Sequence, residues 1–184
     1  MLEEIAAQVR VCPNCRLCQM RTKAVPGEGP AEATVMFIGE GPGAAEDRQG
    51  RPFVGPAGQL LNQLLLTCGL RRPEVFITNI VKCRPPDNRE PRPDEVEACR
   101  EYLDGQIAVI QPRVICLLGR PATQTLLNAT LSMSNAHGRI FEREGLSFMP
   151  IYHPAAALHN PNMREPLERD FAALGELLRG EGSA

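Results

Sequence analysis

Short apolar runs that alternate with helical patterns constrain the fold of this chain more than any other feature. Strand-like runs occupy 34–38, 75–80, 114–118, 139–141 and 148–152. Helical patterns occupy 1–11, 58–70, 93–110, 121–127 and 164–178. The run 34–38 is apolar without interruption and ends in a glycine, as is typical of a parallel strand that is buried on both faces. The alternation therefore predicts an α/β fold in which helices cover both faces of a parallel sheet.

The size and composition of the chain narrow its class. With 184 residues, we expect one domain over 1–184, an N-terminal helix over 1–11 and a frayed tail over 180–184. The net charge is −2, so any contact with nucleic acid must come from a local basic patch. No apolar run approaches the roughly 20 residues that span a bilayer, and no signal-peptide pattern is present. We therefore expect a cytoplasmic protein with reduced thiols and no membrane contact.

Four of the seven cysteines form a split pattern. Cys12 and Cys15 stand in C-P-N-C, Cys83 in V-K-C-R-P-P and Cys99 in E-A-C-R-E. Because a C-x-x-C pair supplies only two thiolates, a tetrahedral site needs two more ligands from elsewhere in the chain. One metal ion or cluster would then join the N-terminus to a distant loop and helix. Zinc and iron–sulfur clusters both use such thiolates, and the spacing does not choose between them.

Polar residues follow three of the predicted strands. Glu40, Asn79 and His153 each come at the C-terminal end of an apolar run. In open α/β sheets, ligand sites lie outside the carboxyl ends of the strands. We therefore expect these three side chains to converge in one crevice.

Each of these features also has a structural interpretation. The glycine-rich loop 39–43 can cradle a phosphate or form a turn, and it lacks both the dinucleotide fingerprint and the P-loop Lys-Ser/Thr. The carboxylates of Glu40, Glu46 and Asp47 can bind magnesium, hold a water or cap a helix. Phe53, between a proline and a glycine-rich turn, can stack on a planar base or fill the core.

The remaining candidates have the same ambiguity. The Asn79 amide can read the edge of a base or close a turn, and a neutral His153 can donate to an oxyanion or be structural. The proline-rich segment 82–92 is basic, and it suits either phosphate contact or solvent exposure. Its charged residues are Lys82, Arg84, Arg89 and Arg92, against Asp87 and Glu90.

Taken together, these residues resemble the family 4 (iron–sulfur) uracil-DNA glycosylases. The matching blocks are G-E-G-P-G-A-A-E-D at 39–47, G-R-P-F-V-G-P-A-G-Q-L-L at 50–61, T-N-I-V-K-C-R-P-P-D-N-R at 78–89 and H-P-A-A-A-L at 153–158. The resemblance implies a three-layer α/β/α sandwich around a mainly parallel four-stranded sheet. It also implies that Cys12, Cys15, Cys83 and Cys99 hold a structural [4Fe–4S] cluster. Cys18, Cys68 and Cys116 match no ligand position.

The resemblance further implies that the enzyme flips deoxyuridine out of DNA and hydrolyses its N-glycosidic bond. Phe53 would stack on the uracil, Asn79 would read its edge, and His153 would stabilise negative charge at O2. Gly41, whose backbone N–H adds to that stabilisation, stands where other glycosylase families carry an Asp or Asn that positions the water.

Other roles are expected by the same resemblance. Glu40, supported by Asn88, is expected to activate the water, and Glu46 is expected to lie near C5 of the base. Phosphate contacts are expected from Lys82, Arg84 and Arg89, and Leu158 is expected to wedge into DNA.

The expected partner is uracil-containing DNA, single- or double-stranded, and the expected state is a monomer in a prokaryotic cytoplasm, associated with the nucleoid. A related subgroup bonds covalently through a histidine in an inserted loop. No histidine lies between Cys83 and Cys99, so hydrolysis without a covalent intermediate is expected. Two other readings stay open: a non-catalytic zinc-bearing DNA-binding module, and a nucleotide-binding enzyme that uses the glycine-rich loop. Partners in base-excision repair or replication are not specified by the sequence.

Overall fold

The computed structural model describes residues 1–180, so the tail expected over 180–184 lies outside the described residues except for Gly180. The helices are Leu2–Arg10 (α1), Ala44–Gln49 (α2), Pro56–Thr67 (α3), Pro93–Ile110 (α4), Arg120–Leu126 (α5), Met133–Ala136 (α6), Pro154–His159 (α7) and Arg164–Gly180 (α8). The strands are Val35–Gly39 (β1), Phe76–Asn79 (β2), Val114–Leu118 (β3), Phe141–Arg143 (β4) and Leu146–Ile151 (β5). Within residues 1–180 no helix is long and apolar enough to cross a membrane.

The strands form one sheet in the order β2-β1-β3-β5-β4. All pairings are parallel except that of β4 with β5. The predicted α/β fold is therefore confirmed, but the sheet has five strands in the described residues rather than four. The fifth arises because Glu144 and Gly145 take φ values of 52° and 78°, which form the two-residue turn of an antiparallel hairpin.

Helices cover both faces of the sheet because successive strand residues point to opposite sides. On one face Val35 and Phe37 pack against α3 and α8, where the Phe37 ring stacks on Phe171. On the other face Met36 and Ile38 pack against α4 and α5. The strands β1, β2, β3 and β5 thus run in one direction and bring their carboxyl ends to the same edge of the sheet.

The N-terminal segment is attached to the α4 side of the molecule. α1 packs on α4, where a Cβ on Gly105 would lie 3.2 Å from Ile5 Cδ1. The chain then returns towards the sheet, and Val25 N donates to Lys82 O at 2.7 Å. Val9 and Leu17 are buried in the same small core as Cys83 and Cys99. This brings the first two cysteines of the split pattern to the other two.

Candidate active site

A cavity of about 570 Å³ opens at the carboxyl edge of the sheet. Many residues predicted from the sequence line it, including Glu40, Gly41, Glu46, Phe53, Asn79, Asn88, Arg89, His153 and Leu158. The convergence expected for Glu40, Asn79 and His153 is therefore present. It follows from the parallel strands, because β1, β2 and β5 end beside one another.

The floor of the cavity is formed by Phe53, His153 and Asn79 around Gly39. The Phe53 and His153 rings are 5.6 Å apart between centroids, with an interplanar angle of 29°. A Cβ on Gly39 would lie 2.6 Å from Asn79 Oδ1 and 2.8 Å from Phe53 Cζ. Only a glycine allows the amide and the aromatic ring to approach β1 so closely.

Asn79 is the most unusual polar residue of the cavity. Its side chain is 2% exposed, and its Oδ1 atom is buried without a hydrogen-bond partner among the described residues. Leaving a buried acceptor unpaired costs on the order of 1–3 kcal/mol, so such groups are rare in folded proteins. An orphan acceptor that lines a cavity is the mark of a site for a ligand N–H group.

His153 is held as a neutral imidazole with a defined tautomer. Its Nδ1 atom accepts a hydrogen bond from Ala155 N at 3.0 Å, at the start of α7. The proton of the neutral ring is therefore assigned to Nε2. Burial lowers the pKa of His153 to about 4, so the ring carries no charge near neutral pH. His153 thus offers the cavity an Nε2–H donor.

Glu40 and Glu46 are the two carboxylates that line the cavity, and their surroundings differ. Glu40 is half-buried; its backbone carbonyl accepts from Val81 N at 3.3 Å, but its carboxylate accepts no hydrogen bond within the described residues. Burial and the nearby Glu90 raise the pKa of Glu40, and Arg120 lowers it. Glu40 is therefore a carboxylate without a hydrogen-bond partner that can act as a base.

Next to Glu40, a Cβ on Gly41 would lie 2.9 Å from Val81 Cγ2, so no larger residue fits there without a shift.

Glu46 is occupied by the backbone of the loop after Phe53. Its Oε1 atom accepts hydrogen bonds from Val54 N at 3.2 Å and Gly55 N at 3.3 Å, just before α3. The carboxylate therefore fixes the Phe53 loop and compensates the N-terminus of α3. The sequence allowed a helix cap for this carboxylate but did not indicate the Phe53 loop as its partner, because the contact joins α2 to a loop without a repeating pattern.

The prediction that Lys82 contacts DNA is wrong. Its side chain is 1% exposed, and Nζ donates to Thr78 Oγ1, to Asn79 O at 2.9 Å and to Gln106 Oε1 at 2.7 Å. Burial lowers the pKa of Lys82 to about 7, and the nearby Cys99 opposes this shift. The physical reason for the error is that these acceptors come from β2 and α4, which enclose the lysine.

The other basic residues of the 82–92 segment are also engaged. Arg84 Nε donates to Asn88 Oδ1 at 2.8 Å, and Asn88 is exposed at the cavity rim. Arg89 makes a bidentate pair with the fully buried Glu95, at 2.9 and 2.7 Å. Leu158, at the opposite rim, is 48% exposed, as a wedge requires.

Arg48 is a rim residue that the sequence analysis did not select. It is exposed in α2 and lines the cavity, and its guanidinium has no hydrogen bond or ion pair within residues 1–180. The available signal was its position one residue after Asp47 in the glycine-rich block. Because α2 is short and was not predicted, nothing indicated which way Arg48 would face.

The cysteines of the split pattern meet in a second, small cavity beneath the 82–92 segment. It is lined by Cys12, Cys15, Cys83 and Cys99, and also by Cys18. Cys68 and Cys116 lie instead in the core between the sheet and α3. Within residues 1–180, no group of three or more His, Cys, Asp or Glu side chains has the arrangement of a single-ion site.

The chemistry of the cysteine cavity fits a group held by thiolates. Arg21 Nη1 donates to Cys83 Sγ at 3.1 Å, and the Lys82 amide donates to Cys99 Sγ at 3.3 Å. Burial raises the pKa of Cys83, and it raises that of Cys99 to about 11. Thiols in such surroundings ionise when a cation is bound to them, and the N–H donors then stabilise the sulfur charge.

Comparison with known proteins gives consistent matches. The family model of the uracil DNA glycosylase superfamily matches residues 26–175. The Type-4 uracil-DNA glycosylase of Sulfurisphaera tokodaii is 50% identical over 186 residues, which cover 96% of this chain and 84% of that protein. The Type-4 uracil-DNA glycosylase of Archaeoglobus fulgidus is 45% identical over 184 residues, 96% of this chain and 92% of that protein. The Type-5 uracil-DNA glycosylase of Thermus thermophilus is 38% identical over 120 residues, 57% of this chain and 54% of that protein.

Proposed function

The chain belongs to the uracil DNA glycosylase superfamily, and we infer that it is an enzyme that removes uracil from DNA. It binds DNA that contains deoxyuridine and takes the nucleotide out of the base stack into the cavity at the carboxyl edge of the sheet. It then hydrolyses the N-glycosidic bond, releasing uracil and leaving an abasic site. The cavity volume of about 570 Å³ accommodates one nucleotide.

The observation that carries this assignment is the unpaired Oδ1 atom of Asn79. Uracil presents an N3–H donor beside its O4 acceptor, so one carboxamide can accept from N3–H and donate to O4. Cytosine presents an acceptor at N3 and a donor at N4, the inverse pattern. A site built around a paired donor and acceptor discriminates by a factor on the order of 10⁴, because the mismatched base leaves buried polar groups unpaired.

The bond-breaking step relies on His153. As the N-glycosidic bond breaks, negative charge develops on the uracil, and O2 is one of the atoms that carry it. The Nε2–H group of the neutral His153 can donate to that oxygen, since Nδ1 is already occupied by Ala155 N. A preorganised donor of this kind contributes about 10²–10³-fold to the rate. The Phe53 ring, stacked beside His153, supplies the face on which the base lies.

Glu40 is the residue we propose for water activation. Its carboxylate has no hydrogen-bonded partner in the described chain, and a raised pKa makes it a stronger base than an ordinary glutamate. Asn88, whose Oδ1 atom is held by Arg84, leaves its amide nitrogen for the water or the DNA backbone. Glu46 keeps the Phe53 loop in place, and its expected closeness to C5 of the base stays a prediction.

DNA is gripped at the rim of the cavity. We propose Arg48 as the principal phosphate contact, since it is exposed and has no protein partner in residues 1–180. Arg89 lines the same rim and Arg84 holds Asn88 there, so both stay proposed as further phosphate contacts, and Leu158 fills the space that the flipped nucleotide leaves. Lys82 has no part in this contact.

We further propose that Cys12, Cys15, Cys83 and Cys99 hold a [4Fe–4S] cluster, as the type 4 relatives suggest. When bound, the cluster supplies a cross-link and a buried charge rather than a reacting atom. The thiols join the N-terminal segment to α4 and to Cys83, four residues after Asn79. The purified protein should be brown and contain about four iron atoms per chain. Cys83→Ser should lose the iron, and Cys18→Ser, which changes a thiol in the same cavity, should keep it; a colourless protein with one zinc would overturn the cluster.

The direct test of function uses single-stranded oligonucleotides that carry one uracil, followed by alkaline cleavage at abasic sites. We expect cleavage at the uracil and none at cytosine or thymine in matched oligonucleotides. Duplexes with A·U and G·U pairs measure the strand preference. No release of uracil, together with saturable hydrolysis of a nucleoside triphosphate, would support a nucleotide-binding enzyme instead.

A further inference from the structure

Phe53, the residue that stacks on the base in the proposed function, has an uncommon backbone conformation. Its φ is +49°, in the left-handed region that a bulky side chain rarely occupies. Such a conformation persists only where the surrounding structure imposes it. Its ring, 6% exposed, is thereby turned towards the cavity beside His153. The contacts that hold this backbone therefore decide where the ring lies.

Arg72 makes those contacts from outside the cavity. Its Nη1 atom donates to Phe53 O at 2.8 Å, and its Nη2 atom donates to the preceding carbonyl, Pro52 O. Nη1 also donates to Asn62 Oδ1 at 3.1 Å, so the guanidinium links the loop to α3. On the opposite side, a Cβ on Gly58 would lie 1.8 Å from Phe53 O. The Phe53 carbonyl is thus fixed between α3 and Arg72.

The guanidinium is itself anchored to the strand that carries the base reader. Arg72 begins a short 3₁₀ helix, Arg72–Glu74, which leads directly into β2 and its last residue, Asn79. Arg72 Nε is held by Glu28 Oε1 at 3.4 Å. The Glu28 backbone pairs with Ile77 of β2 through two hydrogen bonds of 2.9 Å. Arg72 therefore makes the Phe53 loop and the Asn79 strand one rigid unit.

We propose that Arg72 is a positioning residue, which holds the Phe53 carbonyl so that its ring stacks on the flipped uracil at the place that Asn79 reads. The proposal rests on the proposed function, because it assigns a role in the same site. Arg72 does not line the cavity and touches no substrate. The planar guanidinium, with its several N–H groups, donates to two carbonyls, an amide and a carboxylate at once. A lysine, with a single ammonium group, cannot replace it.

The test measures single-turnover uracil excision and DNA affinity separately, with Arg72→Lys and, as a matched control, Arg71→Lys. Arg71 is the adjacent arginine, and its ion pair with Glu74 lies on the surface, where its side chain is 72% exposed. We expect Arg72→Lys to lower the excision rate about tenfold, the size expected for loss of one base–aromatic stack, with DNA affinity changed less than about twofold. Arg71→Lys should change neither.

A double-mutant cycle with Phe53→Leu separates positioning from general loss of structure. If Arg72 acts through the ring, Arg72→Lys should have little further effect in the Phe53→Leu background. Effects on rate that multiply, or an excision rate in Arg72→Lys equal to that of Arg71→Lys, would overturn the proposal. Should Arg72→Lys fail to fold, Glu28→Gln loosens the same arginine and should lower the rate in the same direction; an unchanged rate would then overturn it. A wild-type protein that releases no uracil would instead overturn the proposed function.

Discussion

Two sets of polar groups lie back to back at the end of β2, and they differ in whether their buried polar atoms are hydrogen-bonded. Behind the strand, the Lys82 amino group and the Gln106 amide are enclosed, and both are hydrogen-bonded: Lys82 Nζ donates to Thr78, Asn79 O and Gln106, and Gln106 Nε2 donates to Pro26 O at 2.7 Å. In front of the strand, Asn79 Oδ1 is equally buried and has no partner in the described chain. The backbone of Asn79 belongs to the first set and its side chain to the second.

Asn79 thus has a structural role through its backbone and a functional role through its side chain. Buried polar networks whose members are all paired fix the position of the backbone, whereas an unpaired buried group destabilises the fold and persists where a ligand completes it. The Lys82 network thus holds the strand end rigid. The Asn79 amide, carried on that strand end, is kept free for the base.

The largest effect is expected from Asn79→Asp. The carboxylate still accepts from N3–H but cannot donate to O4, and it faces that oxygen with a negative charge, so uracil excision should fall on the order of 10³-fold. Slow excision of cytosine should appear, because a protonated Asp can donate to N3 and accept from N4. Single-turnover assays on matched uracil and cytosine oligonucleotides measure both. An unchanged preference for uracil would mean that another group reads the base.

Lys82→Met tests the other side of the strand and should act mainly on stability. Methionine keeps the length of the side chain but leaves the acceptors of Gln106 and Asn79 unpaired, which should cost about 2–4 kcal/mol in the free energy of unfolding. Urea unfolding checks this value, with Arg84→Met, a change in the exposed part of the same segment, as the control. If Lys82→Met left stability intact and weakened DNA affinity instead, the comparison between the two sets would fail.

The two sets also show what sequence patterns can and cannot predict. Glu40, Asn79 and His153 were predictable because apolar runs locate parallel strands, and their ends meet at one edge. Lys82 was not, because its enclosure depends on a contact between Gln106 and Pro26, separated by 80 residues in the chain. In the sequence it stands in a basic, proline-rich segment, which is typical of exposed loops. Arg72 was missed for the same reason, since its partners come from three separate segments.

The pH dependence of uracil excision tests the role of Glu40, because only its ionised carboxylate can act as a base. Burial and Glu90 raise the pKa of Glu40, so the excision rate should fall with decreasing pH at a higher value than for an ordinary glutamate. Glu40→Gln should lower the rate about 10–100-fold and abolish this fall of the rate at low pH, the acid limb of the pH profile. Glu90→Gln should move the limb to lower pH and Arg120→Gln to higher pH, since these charges act on Glu40 in opposite directions. His153, with a pKa of about 4, stays neutral through most of this range. A limb that persists in Glu40→Gln would assign the titration to another group.

The smallest effect is expected where an unpaired charge lies at the surface, at Arg48. Each phosphate neutralised by a side chain contributes about one unit to the slope of log affinity against log salt concentration. Arg48→Gln should therefore reduce that slope by about 1 and weaken binding a few-fold at physiological salt, equally for uracil and thymine oligonucleotides. Arg71→Gln is the matched control, since Arg71 precedes β2, at the opposite edge of the sheet, and pairs with Glu74. An equal loss of slope in both variants would indicate a general charge effect. A loss confined to Arg48→Gln would extend the comparison from the buried strand end to the rim, where the arginine without a protein partner is again the one kept for DNA.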